Sequence, residues 1–365
     1  MSVSPSTPAR LASLDVLRGL TLIGMIFINY ADVLEGLGYH VFPLLLHASW
    51  AGFHIADSVF PAFVTMTGVS IPLARGQGGL GGAALKHLSV RSLRLILIGM
   101  VISNTGWLFA VNGEDLFRPE GVLQRIGIAY FGAAALYLSV GGRTRLLIAG
   151  ALLLSYWPLC LLPSPDGVAT DLLIRGANFS SWVDRAIFGL HTYVQHPIGF
   201  DPEGLLGMGP AVAQALIGVA VGEWVIARNS PSKLALAGVA MIVTGIAWGL
   251  VFPIVKALWS SSFVLLSTGI TVVVLSALYW ALDLKGWNNP VTRFPSDFGI
   301  NSIFAYCLHE GIAGLLAAPT LKLLYDFALP ALGQRTAALI PSIVVVLLIW
   351  TVLRYMRIHR WIVKV

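Results

Sequence analysis

The sequence predicts an all-α fold, a polytopic membrane helical bundle of about ten transmembrane helices with both termini cytoplasmic. Three observations carry that prediction. The 365-residue chain is 57% hydrophobic and 11% charged, with a mean hydropathy of +0.82. A soluble domain of this size carries about 25% charged residues. About ten segments supply the roughly 20 mostly apolar residues that a span needs. Lys and Arg divide unevenly between the two sets of loops that those spans define. No composition break marks a soluble part, so residues 1–365 read as a single transmembrane domain.

The first span, 14–34, contains Asp15 and Arg18 and no small-x-small cleavage site follows it cleanly, so it reads as a retained helix. The second, 54–74, begins with His54 and Asp57, is otherwise uncharged and carries Ser58, Thr65, Thr67 and Ser70. Before the third, 90–111, lies GQGGLGG (76–82). That stretch lacks the strand and the Lys-Ser/Thr ending of a phosphate loop, and reads as a connector. The fourth and fifth spans, 121–140 and 144–163, are joined by a short turn with Arg143 and Arg145. The longest loop, 164–207, holds Asp166, Asp171, Asp184, Asp201 and Glu203. The sixth, seventh and eighth spans, 208–227, 234–254 and 260–282, are nearly free of charge. The ninth, 298–318, carries Asn301, Ser302, Tyr306, His309 and Glu310, and the tenth, 337–356, ends near Arg354 and Arg357. Polar groups are expensive against lipid, so the second and ninth read as interior, functional helices. No internal repeat is evident, and Cys160 and Cys307 read as buried free thiols rather than a disulfide or metal site.

Sixteen of the 23 basic residues lie on the face that holds the N-terminus, including Arg10, Arg75, Lys86, Arg91, Arg94 and Arg293. The positive-inside rule makes that face cytoplasmic. The net charge of +6 follows from this bias and is not a nucleic-acid signal. The 164–207 loop and the His40–Asp57 region then lie outside.

Six constellations could carry chemistry. Asp15 and Arg18 share a helix face and can pair, or can form part of a cationic mouth for an anionic ligand. Asn29 in INY (28–30) can hold a carbonyl or a sugar hydroxyl, or serve helix packing. His40, His47 and His54 precede Asp57, and imidazole can take a proton from an amine near neutral pH. Their seven-residue spacing fits no usual metal motif, so no metal is expected. Gln124 and Arg125 open the fourth span, where the guanidinium can snorkel or meet an anion. Asp201 and Glu203 in FDPEGLLG present carboxylates to sugar hydroxyls or an amine, or simply cap a helix dipole. Asn301, Tyr306, His309 and Glu310 crowd one span and argue for a polar cavity inside the bundle.

The pieces SLDVLRG, FINY, HASWAGFHIADSVFPAFVTMTGVSI, GVLQRIGIAYF, DPEGLLG, PIVKALWSSSFVLLSTG and NSIFAYCLHE run in order from about residue 10 to 311. Together they resemble the heparan-α-glucosaminide N-acetyltransferase family, within the wider transmembrane acyltransferase superfamily. The resemblance implies a dimeric membrane enzyme that moves acetyl from acetyl-CoA across the membrane to a terminal glucosamine amine. It implies His47 as the active-site residue and Asn29 beside the acetyl group. The chain is expected to lack the extra lumenal domain of the animal form and the span before it. The acceptor is therefore expected to be an amino sugar or glycan other than heparan sulfate, and the membrane a bacterial inner one.

On this reading Arg18, Arg91, Arg94 and Arg293 attract the acetyl-CoA phosphates on the cytoplasmic side. His47 takes the amine proton or is itself acetylated, Asp57 orients it, and Asn29, with Asn301 or Tyr306, binds the oxyanion. Gln124, Arg125, Asp201, Glu203, His309 and Glu310 are the remaining candidates for holding the sugar. Two alternatives stay open from sequence: an amino-sugar permease, and an O-acyltransferase of an envelope polysaccharide.

Overall fold

The computed structural model describes residues 11–74, 79–109, 116–315 and 318–363; Arg10, Arg75, Lys364 and part of GQGGLGG fall outside them. Among the described residues the fold is helical without strands. In chain order the helices are α1 (Ala12–Gly36), α2 (Val59–Ala74), α3 (Gly82–Ser103), α4 (Thr105–Leu108), α5 (Val122–Ser139), α6 (Gly142–Cys160) and α7 (Phe179–Phe188). They continue as α8 (Met208–Ile226), α9 (Pro231–Trp248), α10 (Ser261–Leu278), α11 (Pro290–Ile300), α12 (Ser302–Leu315), α13 (Ala318–Leu332), α14 (Gln334–Ala337) and α15 (Leu339–Ile358).

Seven described helical stretches are long and apolar enough to cross a membrane: 12–36, 55–74, 122–139, 208–226, 231–248, 261–284 and 334–358. Two predicted segments came out differently, and one helix lies almost wholly outside all ten. The third starts near residue 82 rather than 90, because Lys86, Arg91 and Arg94 depress hydropathy without stopping the helix. It ends at Asn104, whose amide Nδ2 donates to the Met100 and Arg118 carbonyls at 2.8 Å. The ninth is split at Asn301 into α11 and α12. Helix α13 was not anticipated; it packs Leu321, Tyr325 and Ala328 against α1 and α15.

Close packing of helices, rather than hydrophobic expulsion from water, holds such a bundle together. Helices α2 and α8 touch through Gly68, Gly218 and Gly222: a Cβ on Gly68 would overlap the Ala215 carbonyl, and one on Gly218 the Thr65 carbonyl. Gly238 of α9 and Gly269 of α10 meet in the same reciprocal way. Helix α9 otherwise buries only Leu234, Gly238 and Gly245, so it sits at the periphery. Helices α1, α2, α5, α8 and α10 are the most buried and form the centre around which the site is built.

Candidate active site

The loop before α2 is folded around one carboxylate. Asp57 is 1% exposed; its Oδ2 accepts from the backbone N–H groups of His54 (2.9 Å) and Ala48 (3.2 Å). Its Oδ1 lies 2.8 Å from His47 Nδ1. A carboxylate there assigns the ring proton to Nδ1 and leaves Nε2 as the ring's acceptor. His54 does not face the same centre, because its Nδ1 donates to the Leu46 carbonyl at 2.9 Å.

A third group arrives from far along the chain. Lys256 Nζ lies 3.1 Å from both His47 ring nitrogens and 3.8 Å from Asp57 Oδ1. Since Nδ1 is committed to Asp57, the ammonium has Nε2 as its available partner. The α9–α10 loop that carries Lys256 is pinned to the histidine loop: Gly52 donates its N–H to the Ile254 carbonyl at 2.8 Å, and Ala51 pairs with Val255. Gly52 has φ +124°, which a residue with a side chain would adopt only under strain. Trp259 closes the same loop with φ 54°. Its indole N–H donates to Gln214 Oε1 at 2.9 Å, and the Arg125 guanidinium stacks on its ring at 4.7 Å. Burial pushes the Lys256 ammonium below the usual lysine range, against the opposing pull of Asp57, Glu203 and Asp32.

These residues line one end of a cavity of about 870 Å³. His47, Lys256, Glu203, Asn29, Tyr306 and Glu310 stand at that end, and Asp15, Arg18, Ser70, Arg91 and Ile362 at the other. Both Asp15 and Asn29 lie on α1, and their 14-residue separation places the ends about 21 Å apart at 1.5 Å per residue. Met25, Ile28, Phe63, Met66, Leu95 and Ile126 make the stretch between them apolar. A slim chain with an anionic head would match this profile.

The other candidates divide between cavity and scaffold. Asn29 Nδ2 donates to His309 Nε2 at 3.1 Å, and His309 is fully buried beside Glu310 and edge-on to Tyr30. Arg18 hydrogen-bonds Ser70 and sits 3.7 Å from Asp15. Arg91 stacks on Tyr130, 4.5 Å from its centroid. Arg94 and Arg293 are exposed and line no part of the cavity; Arg293 binds Asn288. Asn301 is taken up by the C-terminal segment, donating to the Trp361 carbonyl and accepting from the Val363 N–H, both at 3.0 Å. Gln124 reaches the Pro119 carbonyl, and fully buried Arg125 donates to the Gly204 carbonyl at 3.1 Å. Asp201 is held by Arg118 through Nε (2.8 Å) and Nη2 (2.5 Å) and by the N–H groups of Tyr193 and Glu203. Glu203 shares the same arginine while still facing the cavity.

Lys256, Asp32 and Arg118 were not among the sequence candidates. Asp32 Oδ2 lies 3.7 Å from His47 Nε2. Lys256 had two sequence signals: it is among the few basic residues on the sparsely charged face, and it lies in PIVKALW, one of the pieces that carry the family resemblance.

Behind the Asp201 loop lie two more buried acids. Burial, with Asp201 adding to it, pushes both Glu120 and Asp184 up to about 7. An acid raised in the folded state holds its proton where the unfolded chain has lost it, so stability falls as pH rises from about 3.8 to about 7 for Asp184. Asp184→Asn keeps an acceptor for the Leu205 N–H. The variant is expected to lose less Tm than wild type between pH 5 and pH 8 in detergent; an identical pH slope would exclude Asp184 as its source.

Fold and site together define a helical membrane protein with a His–Asp–Lys cluster at one end of a long internal cavity. The catalytic model of heparan-alpha-glucosaminide N-acetyltransferase matches residues 10–248, and the chain belongs to that family. It is 31% identical to the human heparan-alpha-glucosaminide N-acetyltransferase over 363 aligned positions, which cover 83% of this chain and 53% of the human protein. It is 30% identical to the mouse protein of the same name, with 84% of this chain and 54% of that protein covered. The chain thus spans about half the length of the curated relatives it matches.

Proposed function

We propose that this chain is a membrane acetyltransferase that takes acetyl from acetyl-CoA and places it on the amine of a glucosamine-type sugar. The observation that carries the proposal is the cavity with arginines at one end and His47, Asp57 and Lys256 at the other. Family membership supports the same activity. The basic-residue bias supports a cytoplasmic Arg18 end, cytoplasmic termini and about ten spans, the seven apolar stretches joined by the more polar α3, α6 and α11–α12. A homodimer in a bacterial inner membrane belongs to the same proposal.

Arg18 and Arg91 bind the phosphates of acetyl-CoA, and the pantetheine arm follows the apolar stretch so that the thioester reaches His47. The free-base amine attacks the thioester carbonyl carbon. As the C–N bond forms, an N–H proton passes to His47 Nε2, and Asp57 supports the imidazolium that results. Lys256 Nζ and Asn29 Nδ2 hold the oxyanion. The C–S bond then breaks and the imidazolium returns the proton to sulfur, so CoA leaves as the thiol. Glu203 and Glu310 hydrogen-bond the sugar.

The test is transfer of labelled acetyl from acetyl-CoA to glucosamine by the purified protein in liposomes. Labelled N-acetylglucosamine is expected. Uptake of labelled sugar without acetyl-CoA, and no acetylated product, would replace this reading with a permease.

A further inference from the structure

A second, polar cleft of about 300 Å³ opens beside the His47 end of the main cavity. That volume is at the lower limit of ordinary ligand pockets. Trp107 and Tyr193 stand in it, 49% and 65% exposed, among Arg118, His191 and Gln195. Its position is set by one shared wall. Arg118 lines the cleft and donates to Glu203, which lines the main cavity.

The chemistry of the lining selects the ligand. An exposed aromatic ring with polar neighbours matches a pyranose, whose C–H face is apolar and whose rim carries hydroxyls. The Tyr193 ring is braced on one face by the Arg118 guanidinium, 4.7 Å from its centroid. Trp107 is braced edge-on by Phe117 at 5.5 Å. His191 Nδ1 donates to the Phe117 carbonyl at 2.7 Å, which leaves Nε2 as an acceptor for a hydroxyl. Among the described lining residues Arg118 is the single Lys or Arg, and Asp201 and Glu203 already neutralise it. The wall therefore disfavours sulfated or uronic sugars and suits uncharged ones.

We propose that this cleft is a second sugar subsite, which binds the uncharged residue next to the terminal glucosamine of an oligosaccharide acceptor. This role rests on the acyl transfer assigned to the His47 end. The test compares glucosamine with a β1,4-linked trisaccharide of one non-reducing-end glucosamine and two N-acetylglucosamine units. In wild type the KM for the trisaccharide is expected about tenfold below that for glucosamine. Tyr193→Ala is expected to abolish that advantage and leave kcat and KM for glucosamine unchanged, while Tyr193→Phe, which keeps the ring, behaves as wild type. Equal KM values in wild type, or equal losses on both acceptors in Tyr193→Ala, would overturn the subsite.

Equilibrium dialysis of the labelled trisaccharide against the intact protein reads the cleft without turnover. Weaker binding by Tyr193→Ala supports it; no binding, or unchanged binding, overturns it. A wild type that binds the trisaccharide through Tyr193 yet acetylates neither acceptor would overturn the acyl-transfer reading and leave the subsite standing.

Discussion

Replacing His47 by alanine is expected to lower kcat for glucosamine acetylation by about 10²- to 10⁴-fold, the usual contribution of a positioned proton acceptor. The size follows from geometry. The Nδ1 side of the ring is held by a carboxylate that is itself fixed by two backbone N–H groups, so Nε2 is presented in one orientation. Removing the ring leaves Asp57 beside Lys256, which lies 3.8 Å away, so the buried carboxylate keeps a cationic neighbour and the fold should survive. Unchanged Tm with lost turnover is the expected pair of results. Full activity in His47→Ala would remove the residue from the mechanism. Incubation with labelled acetyl-CoA alone distinguishes the two roles open to Nε2. Label retained on wild type and absent from the variant identifies an acetyl-histidine intermediate; no retained label identifies a base acting in a ternary complex.

The second large effect is expected at Lys256. Lys256→Met keeps the length and apolar stem of the side chain but removes all three N–H donors. Loss of one oxyanion donor typically costs about 10²- to 10³-fold in kcat, and that range is expected here. The ammonium lines the cavity beside His47 Nε2, where the proposed reaction brings the thioester oxygen. Lys256→Arg restores a cationic donor in a larger, planar form and should recover part of the rate. A Lys256→Met variant with wild-type kcat and a raised KM for the sugar would assign the lysine to acceptor binding instead. Because Lys256 also neighbours Asp57 and Glu203, Tm is measured in parallel to separate a folding defect from a chemical one.

How far each feature could be read beforehand depended on whether its cause is local in the chain. The helices of residues 12–36, 55–74, 122–139 and 208–226 were legible because hydropathy and length belong to neighbouring residues. Helix α3 was misplaced where its cations lowered the local average although long side chains can carry their charge out of the apolar layer. Asn301 read as one more polar group inside a span. It breaks the helix because the backbone of residues 361–363 offers its amide two partners from another part of the chain.

The candidate site divides the same way. His47 and Asp57 stand ten residues apart in one loop, and their type and position next to an apolar run already pointed to proton chemistry. The contact of Lys256 with His47 spans 209 residues, and that of Asn29 with His309 spans 280. No periodicity connects such positions. The helical membrane class, the family and the two candidates His47 and Asp57 were thus present in the order of residues, since each rests on local composition or on short motifs in a fixed order, whereas the contact between the two side chains was left open until the loop was folded. The lysine beside the histidine, the locking of Asp201 by Arg118 and the cavity from Arg18 to His47 came from packing, because hydrogen-bond partners and empty space between helices exist only once distant segments have been brought together.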